Sequence, residues 1–132
     1  MRRVMLITAF LTLASGSTRA QYNPAPHLVV RSGGQVVMYR LTSLNPDCTS
    51  RGYATVNLLE APRGGEALVA DKRDYVAFWP GNPRSACNKR KVPATEIIYK
   101  ASPGFVGNDA FKAEIIDSEG VSRTRIFRVE VR

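Results

Sequence analysis

The sequence predicts an all-β fold in which two antiparallel sheets of short strands pack face to face as a sandwich. Three observations predict it. No segment after the first twenty residues carries an apolar period of 3.6 over three turns, and seven or eight short runs rich in Val, Ile, Leu, Phe and Tyr recur at the spacing of sandwich strands. Between those runs stand clusters of Gly, Pro, Asn, Asp and Ser, the residues of turns. Strands this short bury one face each, so two sheets must meet to enclose a core.

Residues 1–20, MRRVMLITAFLTLASGSTRA, place Arg2 and Arg3 before an apolar run from Val4 to Leu13 and end on small and polar residues, the arrangement of a cleaved secretory signal. An apolar run of about ten residues is too short for a helix to cross roughly 30 Å of hydrocarbon, so no membrane insertion is expected after cleavage. Cleavage after Ala20 leaves 112 of the 132 residues, enough for one domain and one core. It also removes Arg2, Arg3 and Arg19, so the 19 Lys and Arg fall to 16 against 11 Asp and Glu, a net charge of +5. The expected location is therefore the periplasm or the outside of the cell.

Residues 21–26, QYNPAP, read as an extended lead-in, and the domain proper as 27–132. Residues 27–31 and 35–42 are the first two strands, split by the turn Ser32–Gly33–Gly34. The turn-forming stretch SLNPDCTSRG follows, then a strand over 53–59 with Ala54, Val56 and Leu58 on one face. APRGG is expected to close a hairpin from that strand onto 66–70, and DKRD to lead into a strand over 75–79, ended by Pro80–Gly81. Residues 82–93, NPRSACNKRKVP, are polar, basic and without period, so they are expected to form a surface loop tied at Cys87. Strands over 95–100, 109–116 and 121–131 complete the sheets. In the second, Phe111, Ala113 and Ile115 alternate with Lys112 and Glu114; in the third, Phe127, Val129 and Val131 alternate with Arg128 and Glu130.

Cys48 and Cys87 are the only cysteines, and an oxidising compartment pairs them. Closing a loop of about 40 residues stabilises by roughly 4 kcal/mol on the chain-entropy argument.

The stretch Pro103–Gly–Phe–Val–Gly–Asn–Asp–Ala–Phe111 is expected to be a corner between sheets. Pro103 fixes one φ, Gly104 and Gly107 admit positive φ, the Asp109 carboxylate accepts backbone amides, and Phe105 and Phe111 plug the core at either end. Together with Tyr99 and the tail DSEGVSRTRIFRVEV, this segment resembles the C-terminal strands of bacterial immunoglobulin-like and cadherin-like repeats: Tyr, then Gly-Phe-x-Gly-x-Asp-x-Phe, an Asp-x-x-Gly turn, and an alternating valine strand. The resemblance covers about 33 residues, 99–131. It implies an immunoglobulin-like sandwich, and repeats of this kind are adhesive or spacing modules in larger proteins. The remainder of the chain resembles small exported single-domain bacterial proteins.

The residues set limits on chemistry. His27 is the only histidine, so a Ser-His-Asp arrangement has one candidate base and zinc lacks its ligands once the cysteines pair. A Gly-rich phosphate loop and a dinucleotide fingerprint are both missing. No enzymatic activity and no cofactor are expected. Asp109, Asp117 and Glu119 would offer oxygen ligands to calcium if their loops converged, the alternative reading as a calcium-binding cadherin-like module. Arg84, Lys89, Arg90 and Lys91 form a basic loop behind Tyr75, Phe78 and Trp79, suited to an anionic envelope glycan or the acidic face of a protein. With aromatics there counted as core, the same loop is only a solvated surface, and the domain a structural accessory subunit without its own ligand. A net charge of +5 outside the cytoplasm gives no support to nucleic acid as a partner.

Overall fold

The structure is a computed structural model and describes residues 28–132. The expected signal, the expected lead-in and His27 lie outside the described residues. Seven strands are present: β1 (Leu28–Val30), β2 (Gln35–Leu41), β3 (Thr55–Glu60), β4 (Gly65–Asp74), β5 (Val92–Ala101), β6 (Gly107–Ile116) and β7 (Ser122–Val131), with a 3-10 turn at Ser85–Lys89 between β4 and β5. They form a four-stranded sheet in the order β1-β7-β6-β3 and a three-stranded sheet in the order β2-β5-β4. This is an immunoglobulin-like β-sandwich. All ladders are antiparallel save the short one between β1 and β7, which is parallel.

The alternation read in the sequence places the core. Ile97, Tyr99 and Ala101 of β5 face Phe111, Ala113 and Ile115 of β6 and Phe127, Val129 and Val131 of β7, all buried. The ring of Phe111 lies between those of Phe127, centroids 4.9 Å apart, and Tyr99, 6.4 Å. Fully burying side chains of this size stabilises by roughly 1.5–3 kcal/mol each, so this inner layer supplies most of the drive to fold. Ala54 and Val56 pack against it as expected, but Leu58, opposite Ala113, stays about half exposed.

Two expectations of the strand order fail. Residues 53–59 and 66–70 do not make a hairpin: β3 pairs with β6 and β4 with β5, in different sheets. Residues 61–64 are a crossing between sheets because their amides are claimed from afar: Arg63 N and Gly64 N donate to the Asp109 carboxylate, 3.0 and 2.8 Å away. The glycines serve close approach here. A Cβ on Gly64 would lie 2.3 Å from the Phe105 ring, and one on Gly65 would lie 2.3 Å from the Lys100 carbonyl oxygen.

Residues 75–79 are not a strand. The β4 ladder ends where Asp74 meets Val92, and the chain beyond it packs at that end of the three-stranded sheet. There Leu44, Cys87 and Val92 are buried, with Cys48, Val76 and Phe78 packed on them, a second small core outside the sandwich. The 82–93 stretch therefore does contribute core residues, against expectation, because Cys87 and Val92 are drawn under it. Trp79 is not core; it is 67% exposed.

Candidate functional site

The corner behaves as a structural device. Gly104 and Gly107 take φ of 83° and 128°. Asp109 is buried, and its carboxylate accepts from Arg63 N, Gly64 N, Ala110 N and, at 2.8 Å, the Tyr99 hydroxyl. The amides it satisfies belong mainly to the neighbouring crossing, so one carboxylate ties both crossings and joins β5 to β6. Burial pushes its pKa up, but the donors, Arg63 N and the Tyr99 hydroxyl foremost, outweigh burial and hold it below the ordinary value. Burial, and then the hydrogen bond to Asp109, drive the Tyr99 hydroxyl upward. A carboxylate with four donors is already saturated; nearby, Phe111 is buried in the core and Phe105 packs against that core.

The three carboxylates named for calcium do not meet. Asp109 lies near the start of β6 and Asp117 just past its end, so about eight residues of extended chain, roughly 26 Å, separate them. Asp117 accepts from the amides of Glu119 and Val121 and pairs with Arg123, closing the β6–β7 hairpin, while Glu119 pairs with Arg51. No cluster of three or more metal-ligating side chains stands among the described residues.

The loop from 75 to 91 is held from several directions. Cys48 and Cys87 form a disulfide, joining it to the turn after β2. The Asn88 side chain accepts from Phe78 N and donates to the Phe78 carbonyl, both at 2.8 Å, and so fixes the chain beside Trp79. Of the four cations, Arg84 donates through Nε to the Leu44 carbonyl and Arg90 through Nη2 to the Asp47 carbonyl. Those two guanidiniums build the junction between the loops. Lys91 is exposed, with Nζ 5.8 Å from the centre of the Tyr75 ring, and Lys89 is exposed at the end of the 3-10 turn. The structure thus divides the basic set into two anchors and two exposed lysines, of which Lys91 lies beside the exposed Tyr75 ring.

Two features escaped the sequence reading. Tyr75 (54% exposed) and Trp79 stand outward while Val76 and Phe78 point in, an alternation whose direction only the second core reveals. Glu96 is fully buried in β5, with Arg40 Nε at 2.6 Å and Lys72 Nζ at 2.6 Å, and Arg40 also reaches Asp74. Burial raises its pKa, but Lys72 and Arg40 more than offset this and lower it. A lone acid within VPATEIIYKA was the available signal, since an unpaired charge in such a strand would be costly.

No family model matches the chain, and no curated protein or solved structure matches it. The disulfide in a small β domain is compatible with an exported protein.

Proposed function

We propose that the protein is an exported, non-enzymatic immunoglobulin-like module, in the periplasm or outside the cell, that binds an anionic partner of the envelope, an acidic glycan or the acidic face of a protein. Kinship with bacterial immunoglobulin-like and cadherin-like repeats is part of that reading. One observation carries it. Trp79 and Tyr75 stand exposed on a loop fixed by a disulfide, an asparagine clamp and two arginine anchors, with Lys89 and Lys91 on the same loop.

A large aromatic side chain held in water costs hydration, and holding it rigid removes the entropy that a partner would otherwise have to offset on binding. Trp and Tyr lead the side chains that dominate interfaces, and the exposed lysines of the same loop draw a negative partner. Arg84 and Arg90 act indirectly, by shaping the loop.

The test is capture of envelope components by the purified exported protein across a salt series, with Trp79→Ala and Lys89→Ser/Lys91→Ser as variants that spare the anchors. Capture should weaken as salt rises and fall at least tenfold in each variant. Capture indifferent to salt and to both variants would refute the site.

A further inference from the structure

We propose that β4 is a pairing edge, and that its occupant is β4 of a second copy of this chain, joined antiparallel about a two-fold axis between the two copies of Val69. The two three-stranded sheets then become one of six strands. The inference stands apart from the loop reading and uses different residues.

The four sheet edges are unequal. β1 has three residues, and β2 and β3 are interrupted by register shifts at Val37/Tyr39 and Leu58/Glu60. Short and bulged edges resist pairing with another chain. β4 runs ten residues in unbroken register with β5, from Gly65 opposite Ala101 to Asp74 opposite Val92, without proline. Its outer row of backbone groups is the only regular one of that length on an edge among the described residues. Val69, on the face of β4 that looks into the sandwich, is 50% exposed, and Leu68 on the other face is also exposed. β3, four residues away along the chain and on the same side of the sandwich, adds the half-exposed Leu58 and Leu59.

Charge selects the occupant and the register. Opposite residues of an antiparallel pair point to the same face, so a two-fold axis normal to the sheet must fall midway between the two copies of one residue. Centred on Leu68 only residues 65–71 of the strand can pair, with Glu66 on Ala70 and Asp71 on Gly65 and no charge matched, and centred on Ala70 it would set Glu66 against Asp74, a clash occurring twice. Centred on Val69 it sets Glu66 against Lys72 twice, with Val69 on Val69 and Leu68 on Ala70. Both charged groups are accessible for this: Glu66 and Lys72 are each more than a third exposed, although paired within the chain to Lys100 and Glu96. Of the registers that use most of the strand, one is attractive.

Sedimentation of the exported protein over a concentration series tests the pairing. Reversible dimerisation is expected, with the dimer Kd raised about tenfold or more by Glu66→Lys, which turns two attractions into repulsions, and by Val69→Lys, which sets two ammonium groups on the axis. Register is tested in the otherwise native chain. Val69→Cys should cross-link two copies on oxidation, whereas Leu68→Cys should not, since its own copy lies diagonally, about 8 Å away and beyond disulfide reach. A chain that stays monomeric up to about 1 mM, a dimer indifferent to both lysine variants, or equal cross-linking at 68 and 69 overturns the proposal. So does cross-linking of Val69→Cys only to a different protein.

Discussion

Replacing Asp109 by Ala should lower the unfolding free energy by about 4 kcal/mol. The figure follows from what the carboxylate leaves behind. Gly64 N and the Tyr99 hydroxyl are buried and would lose their acceptor, at about 1–3 kcal/mol each, while Arg63 N and Ala110 N sit where water can reach them and add less. For a small domain whose total stability is about 5–15 kcal/mol, that is a large share. Asp109→Asn keeps one oxygen for Arg63 N and Ala110 N but turns an amide group toward Gly64 N, so about half the loss is expected. Tyr99→Phe removes one charge-assisted bond, about 2 kcal/mol. In the double variant Tyr99→Phe/Asp109→Ala the stranded hydroxyl is gone, so the cost should fall short of the sum by about 2 kcal/mol. Urea unfolding with the disulfide intact, read at constant m, measures all four proteins. Strict additivity, or a loss below about 1 kcal/mol for Asp109→Ala, would refute the view that this carboxylate joins the two crossings.

Three further outcomes are expected. Glu96→Gln removes two ion pairs on the three-stranded sheet while Arg40 and Lys72 keep partial access to water, so thermal melting should report a loss of about 2 kcal/mol. The carboxyls of Asp109 and Glu96 both lie below their ordinary values in the fold, so the unfolded chain takes up protons first; their contribution is complete above about pH 5 and is lost as pH falls through about 4 and below. Tyr99, shifted the other way, keeps its contribution below about pH 10 and loses it as pH rises further. Urea midpoints against pH should show the acid slope flattened in Asp109→Asn and Glu96→Gln. Cys48→Ser/Cys87→Ser should cost roughly 4 kcal/mol, and hydrogen exchange should quicken in 75–91 before β5 and β6, because the cysteines belong to the second core and not to the sandwich.

The amino-acid sequence determined the fold class, the inward alternation of β6 and β7, the cysteine pair and the glycine conformations of the corner. Each is a local matter: period two decides which side chain is buried, Gly104 and Gly107 admit φ that other residues resist, and two cysteines have one way to pair. The rest was settled by packing at long range. Whether residues 61–64 turn a hairpin or cross between sheets depends on Asp109, 45 positions from Gly64, and no local pattern records which acceptor claims an amide. The same holds for the basic loop, where Arg84 and Arg90 became anchors because the carbonyls of Leu44 and Asp47 came within reach, and for 75–79, where a strand-like composition turned Phe78 inward and Trp79 outward over a second core. Side-chain type sets what a residue can bond, but the partner that arrives is chosen by packing at long range, where composition and period carry no information.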